Sequence, residues 1–165
     1  MHIAGRGKRG QAVGPNPTDR GKNGTKRHVW VDRKGIPLNA VLSGANRHDM
    51  KMLQEALRQP VLQRPCPTTR QPQHLCLDKG YDYPVCRRWV RGRGYLAHIP
   101  ARGEARRPLP IKRHPARRWG VERTNRWHTR YRRLKIRYEV HARNDLGSVE
   151  FARAILCFRA CHPGC

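Results

Sequence analysis

Apolar and polar positions alternate in two neighbouring stretches, His28-Val29-Trp30-Val31-Asp32 and Ile36 to Ser43, separated by Arg33-Lys34-Gly35. Two-residue periodicity on both sides of a glycine turn predicts a β-hairpin. Beyond the polar connection Gly44 to His48, Met52, Leu53, Ala56 and Leu57 recur at helical spacing behind Asp49, a good N-cap. A proline- and glutamine-rich linker over 59–73 leads into His74-Leu75-Cys76-Leu77-Asp78, a short apolar run that ends on a carboxylate and is followed by Lys79-Gly80. A buried strand that delivers an acid to its C-terminal edge has this form. Tyr83 to Arg91 reads as a short helix and Tyr95 to Pro100 as another short strand. Residues 101–114 are again basic and proline-rich. A helix follows from Pro115 to Lys135, and Asn144 caps a last helix through Arg159. Strand, strand, helix, strand, helix, strand, helix, helix predicts an α/β domain layered around a small mixed sheet.

Residues 1–27 break this pattern. They hold glycine, proline and basic residues with almost nothing to bury, and read as a loop or disordered basic arm. The 165 residues have room for one ordinary domain, and 37% hydrophobic content, against about 45–50% in typical domains, makes its core lean. Lys and Arg number 36 against 11 Asp and Glu, a formal charge of +25. Such a charge repels itself unless a polyanion shares it, and nucleic acid is the usual one. Most small-molecule enzymes and structural domains are thereby excluded as default readings. No run of about 18 apolar residues is present, so no membrane span is expected. MHIAGRGKRG carries no apolar stretch of the kind a secretory signal needs. Cys66, Cys76, Cys86, Cys157, Cys161 and Cys165 are therefore expected as reduced, packed thiols. The tail Cys157-x3-Cys161-His162-x2-Cys165 matches no standard zinc knuckle.

With so few carboxylates, each can be weighed singly. Asp78 closes a strand, where hard divalent cations are commonly held; the plain alternative is an Asp that merely starts a turn. On a helix through 115–135, Gly120, Thr124, Trp127, Tyr131 and Leu134 share the face that should meet the core. Glu122 lies opposite, in the row Arg118, Glu122, Arg126, Arg130 at four-residue steps. Taken alone, that row is either a solvated face with weak ion pairs or a metal-binding carboxylate within a phosphate-binding stripe. The basic residues are less ambiguous. Arg118, Arg123, Arg126, Arg130, Arg132, Arg133 and Lys135 crowd one stretch, interleaved with Trp119, Trp127 and Tyr131, and point to a salt-sensitive DNA-backbone surface. The histidines show no metal-type pair.

Three segments carry a family resemblance: GPNPTDRGKNGTKRHVWVDRKGIPLNAVLSGANRHD (14–49), LCLDKGYDYPVCRRWVRGRG (75–94) and RRWGVERTNRWHTRYRRLKIRYE (117–139). In order and over about residues 14–159, the chain resembles DDE transposases of bacterial insertion sequences, the insertion-sequence-five group in particular. The resemblance implies a ribonuclease-H-like fold, a mixed sheet flanked by helices, and three acids that hold two Mg²⁺ ions for in-line attack on DNA strands. Asp78 matches the second acid and Glu122 the third. Arg118 fits the tyrosine-arginine-glutamate-lysine signature, whereas Pro115 stands where tyrosine is usual and Thr129 where lysine is, with Arg130 adjacent. Asp19 and Asp32 match non-catalytic positions, so the first acid and the strand that bears it are expected to be absent, leaving the fold incomplete.

The domain reading is accordingly a basic arm over 1–27, a partial ribonuclease-H-like DDE domain over 28–160 and a tail over 161–165. The expected function is Mg-dependent cleavage and strand transfer at the ends of an insertion sequence. The chain would be a truncated or frameshift-split form, inactive alone and bacterial, cytoplasmic and nucleoid-associated. Its partners would be double-stranded DNA, at element ends and target, and a second copy or a complementing transposase subunit. The alternative is a catalytically dead DNA-binding remnant that inhibits intact transposase. An unrelated ribosomal-style RNA-binding protein would leave the positions of Asp78 and Glu122 unexplained.

Overall fold

The hairpin forms where the alternation places it, but its first strand is longer. In the computed structural model, which describes residues 2–4, 10–58, 65–101 and 118–162, β3 spans Asn23–Val31 and β4 spans Pro37–Gly44. They pair antiparallel from Thr25↔Gly44 to Val31↔Pro37, with an irregularity at Trp30/Val31. The turn between them is secured by Asp32, whose Oδ1 accepts from the Lys34 and Ile36 backbone N–H groups at 2.8 and 2.7 Å. Gly35 holds φ +77°, the left-handed conformation that glycine takes without steric cost.

The expectation of an unstructured arm through residue 27 is corrected by the strands there. β1, His2–Ala4, pairs antiparallel with Thr25–Arg27, and β2, Gly14–Pro15, pairs with Asn23 and Gly24. Because β4 also pairs with Thr25–Arg27, β3 is interior at these residues, and Thr25, Lys26, Arg27 and His28 are all buried. Composition misled here because each of these polar side chains finds a partner far along the chain.

The chain divides into two compact units, Met1–Leu62 with Trp119–Cys165, and Gln63–Arg118. In the first, the connection after β4 continues through a 3₁₀ turn, Asp49–Met52, into α1, Leu53–Ala56. His48, not Asp49, is the cap: its Nδ1 accepts from the Met50 N–H at 3.3 Å. α3 spans Arg118–Arg130, α4 spans Arg132–Lys135, and α5 spans Ala142–Cys161. The single helix expected over 115–135 is thus broken at Tyr131, whose ψ of 113° is extended. The last helix begins at Ala142, two residues before Asn144, with His141 at the N-cap position but without a side-chain cap bond. Ala40 of β4, Leu134, Val149 and Ala152 form a buried cluster against which Val29 and Tyr131 pack, so α4 and α5 close over the sheet.

In the second unit, β5, Gln73–Cys76, pairs in parallel with β6, Tyr95–His98, and α2, Pro84–Gly92, lies between them in sequence. Leu75, Cys86, Val90 and Ile99 are buried among its described residues. Parallel strands need such a helical crossover. The α/β class expected from the element order stands, with the described strands arranged as a four-stranded antiparallel sheet in the first unit and a two-stranded parallel one in the second. Element order does not fix that arrangement, since pairing is decided by contacts remote in sequence. Among the described residues, no helix is long and apolar enough to cross a membrane.

Candidate nucleic-acid interface and its two carboxylates

α3 is anchored on one face by Gly120, Thr124, His128 and, beyond the break, Leu134, all buried. Thr124, fully enclosed, donates from Oγ1 to the Gly35 carbonyl at 2.5 Å, with the Gly120 carbonyl at 3.0 Å. The contact leaves no room at the turn: a Cβ on Gly35 would lie 3.0 Å from the Gly120 oxygen and from Arg123 Nη2. The β3–β4 turn therefore sets the position of this stretch of α3. Glu122, two residues before Thr124, is exposed on the far side, as the helical spacing predicts, and Arg126 and Arg130 continue its row, also exposed.

The remaining cations separate. Arg123 does not join the outward row. It is half-buried with its guanidinium 4.7 Å from the Trp127 ring centroid, a cation–π contact. Arg118 opens α3, but its side chain lies outside the described residues, as does Pro115. Arg132, Arg133 and Lys135 are exposed on α4, where Arg133 Nη1 lies 3.5 Å from Glu139 Oε1. The exposed set is thus Arg126, Arg130, Arg132, Arg133 and Lys135 beside Glu122, a surface able to follow a phosphate backbone.

Asp78 belongs to the other unit. It is exposed at the C-terminal end of β5, and its backbone carbonyl accepts from the Tyr81 N–H at 2.9 Å, closing the 3₁₀ turn Lys79–Tyr81. Both residues are exposed, and carboxylate oxygen is the donor type that a hard cation such as Mg²⁺ takes. Among the described residues, no three His, Cys, Asp or Glu side chains converge as a metal-ligand set. Upstream acids are otherwise engaged. Asp32 holds the hairpin turn, Asp19 lies 3.3 Å from Lys22, and Asp49 lies 3.2 Å from Lys26.

A buried ionic network escaped sequence reading. Asp145, on the first turn of α5, sits with Oδ1 3.8 Å from Arg27 Nη2 and Oδ2 3.5 Å from Arg137 Nε. Burial pushes its carboxyl above the usual range, outweighing the two guanidiniums, and burial likewise lowers Arg27. Arg27 Nη1 also donates to the Leu134 carbonyl at 2.6 Å, and Arg137 Nη1 to Thr25 Oγ1 at 2.6 Å. The available signal was position. Asp145 shares the stripe of Val149, Ala152 and Leu156, where an acid is out of place unless paired. Cys66, Cys76, Cys86, Cys157 and Cys161 are free thiols, and burial pushes those of Cys86 and Cys157 up; Cys165 lies outside the described residues.

Comparison with known proteins agrees with the resemblance. Residues 2–148 match the family model described as Transposase DDE domain. The chain is 34% identical over 155 residues to a protein of Burkholderia cepacia named as a transposase for insertion sequence element IS402, covering 88% of this chain and 68% of that protein. No solved structure matches. A match across most of the chain, in both comparisons, shows that the chain belongs to the DDE transposase family of insertion sequences.

Proposed function

We propose that this chain contributes Asp78 and Glu122, the second and third acids, to a DDE site on a ribonuclease-H-like fold that cleaves and transfers DNA strands at insertion-sequence ends. The observation that carries the reading is the outward row of α3, which sets a lone carboxylate, Glu122, beside Arg126 and Arg130 in a chain of this family. Arg126, Arg130, Arg132, Arg133 and Lys135 bind successive phosphates and set the duplex in register. Thr124 and Gly35 fix the pitch at which Glu122 is presented. Asp78 and Glu122 are the residues that would hold Mg²⁺, which in the two-metal scheme activates the attacking oxygen and stabilises the leaving one.

The first acid belongs to a strand beyond these residues, joined by frameshifting or supplied by another subunit. What supports this is that Asp19, Asp32 and Asp49 are already engaged. The working environment of the protein is then the bacterial nucleoid.

The test is cleavage of a duplex that carries the element's end, with Mg²⁺, by the chain joined to its upstream frame. Asp78→Asn and Glu122→Gln should each abolish cleavage while leaving DNA binding in place. Cleavage that survives either substitution would falsify the assignment. Binding without cleavage by the joined product would instead identify the chain as a DNA-binding remnant.

A further inference from the structure

After β4 the chain turns through Ala45, which is fully buried, and emerges at Asn46. Asn46, Arg47, His48 and Lys51 line an open groove of about 370 Å³, and all four are exposed. The neighbouring acid is turned away from this role: Asp49 Oδ1 accepts from Lys26 Nζ at 3.2 Å, and the same ammonium donates to the Arg47 carbonyl at 3.0 Å. Lys26, itself buried, thus neutralises Asp49 and fixes the backbone on which Arg47 stands. His48 Nδ1 accepts the Met50 N–H, which fixes the ring at the edge of the groove. Asn46 is seated where two glycines make space. A Cβ on Gly14 would lie 2.0 Å from Asn46 Oδ1, and one on Gly44 2.8 Å from it.

We propose that this groove binds a backbone phosphodiester of double-stranded DNA, as a second contact besides the α3–α4 surface; the inference rests on the DNA-transposase reading. The lining argues for this occupant. Among the described residues two full cations, an amide and an imidazole line the groove, and no carboxylate is among them. Among the described residues the His48 imidazole is the one ring in the lining and no aliphatic side chain joins it, so the charge of the groove favours a phosphate over a base. A sequence-independent contact to one phosphate is what the set can make.

The test uses the full chain and a fluorescent duplex of arbitrary sequence, with affinity followed by anisotropy across a salt series. Removing a cation that neutralises one phosphate should lower the slope of log affinity against log salt by about 0.9. Arg47→Ala/Lys51→Ala should therefore reduce the slope by about 2 and weaken binding roughly 10-fold at moderate salt. Arg126→Ala/Arg130→Ala runs alongside. If the groove pair leaves affinity and slope unchanged while the α3 pair weakens both, the groove is not a DNA contact. If neither pair matters, the DNA-binding reading itself fails. A groove pair that weakens binding to duplex RNA but not to duplex DNA would assign the site to RNA and overturn the proposal. Should the double variant fail to fold, Arg47→Gln and Lys51→Gln, taken singly, keep the Lys26 bond to the Arg47 carbonyl and should each lower the slope by about 1.

Discussion

Two basic stretches of this chain look alike in sequence and end in opposite places. Thr25-Lys26-Arg27-His28 runs through the interior of a sheet, with Arg27 1% exposed. Arg126, Arg130, Arg132, Arg133 and Lys135 face solvent. Residue type does not separate them; the waiting partners do. Lys26 meets Asp49 and a carbonyl, Arg27 meets Asp145 and the Leu134 carbonyl, and His28 Nε2 lies 2.8 Å from Ser43 Oγ. Among the described residues, the exposed α3–α4 set meets only Glu139 beside Arg133 and the exposed Glu122 in its own row, which leaves most of that charge for a polyanion. A basic run is thus a surface only where the fold supplies no counter-charge.

Removing a partner on the buried side should have the largest effect. Asp145→Ala leaves Arg27 and Arg137 buried without their carboxylate, and such an uncompensated charge costs about 3–5 kcal/mol, a large share of ordinary domain stability. Urea unfolding should show it, with partial recovery in Asp145→Ala/Arg27→Met. A loss below about 1 kcal/mol would mean that the network is not what holds β3 inside.

His28 offers a pH test of the same burial. Its pKa falls to about 4, chiefly through desolvation, from 6.5 in the free residue. Between those values the unfolded chain binds a proton that the folded one refuses. Its contribution to stability is therefore present above about 6.5 and lost as pH falls towards 4, by about 3 kcal/mol. The unfolding midpoint of His28→Gln should change less over this range than that of the parent; parallel curves would refute the burial of a neutral ring.

Thr124→Val strands the Gly35 carbonyl, at a cost of about 1–3 kcal/mol. It should also depress cleavage by the joined product more than DNA affinity, because Glu122 loses its fixed presentation. Equal losses in both would leave Thr124 a merely structural residue. Smallest in stability is Arg126→Ala/Arg130→Ala, expected within about 0.5 kcal/mol of the parent, although the salt slope of DNA binding should fall by about 2. A large drop in stability instead would place these arginines with the buried group.

Local signals were legible. The alternation and Arg33-Lys34-Gly35 located the β3–β4 turn, and helical spacing put Glu122, Arg126 and Arg130 opposite Gly120, Thr124 and Leu134. What was not legible depends on distance. Arg27 bonds to Leu134, 107 residues away, and Thr25 to Arg137, 112 away, so no window around β3 announces its burial. Nor does anything in Arg130 to Lys135 forecast the break at Tyr131, since neither glycine nor proline occurs there. The inward turn of Arg123 onto Trp127 was hidden for a simpler reason: its position on the helix lies between the two faces.

The far partners of β3 also set a schedule for synthesis. Until Leu134, Arg137 and Asp145 have left the ribosome, Thr25 and Arg27 have no route into the interior, and the strand must wait as hydrated, self-repelling chain. Loop closure over more than a hundred residues is slow, but the delay carries little hazard, because Thr-Lys-Arg-His is a poor template for another strand. A nascent product halted before Asp145 would hold no folded first unit at all. The burial of β3 is therefore completed only once Asp145 has been made.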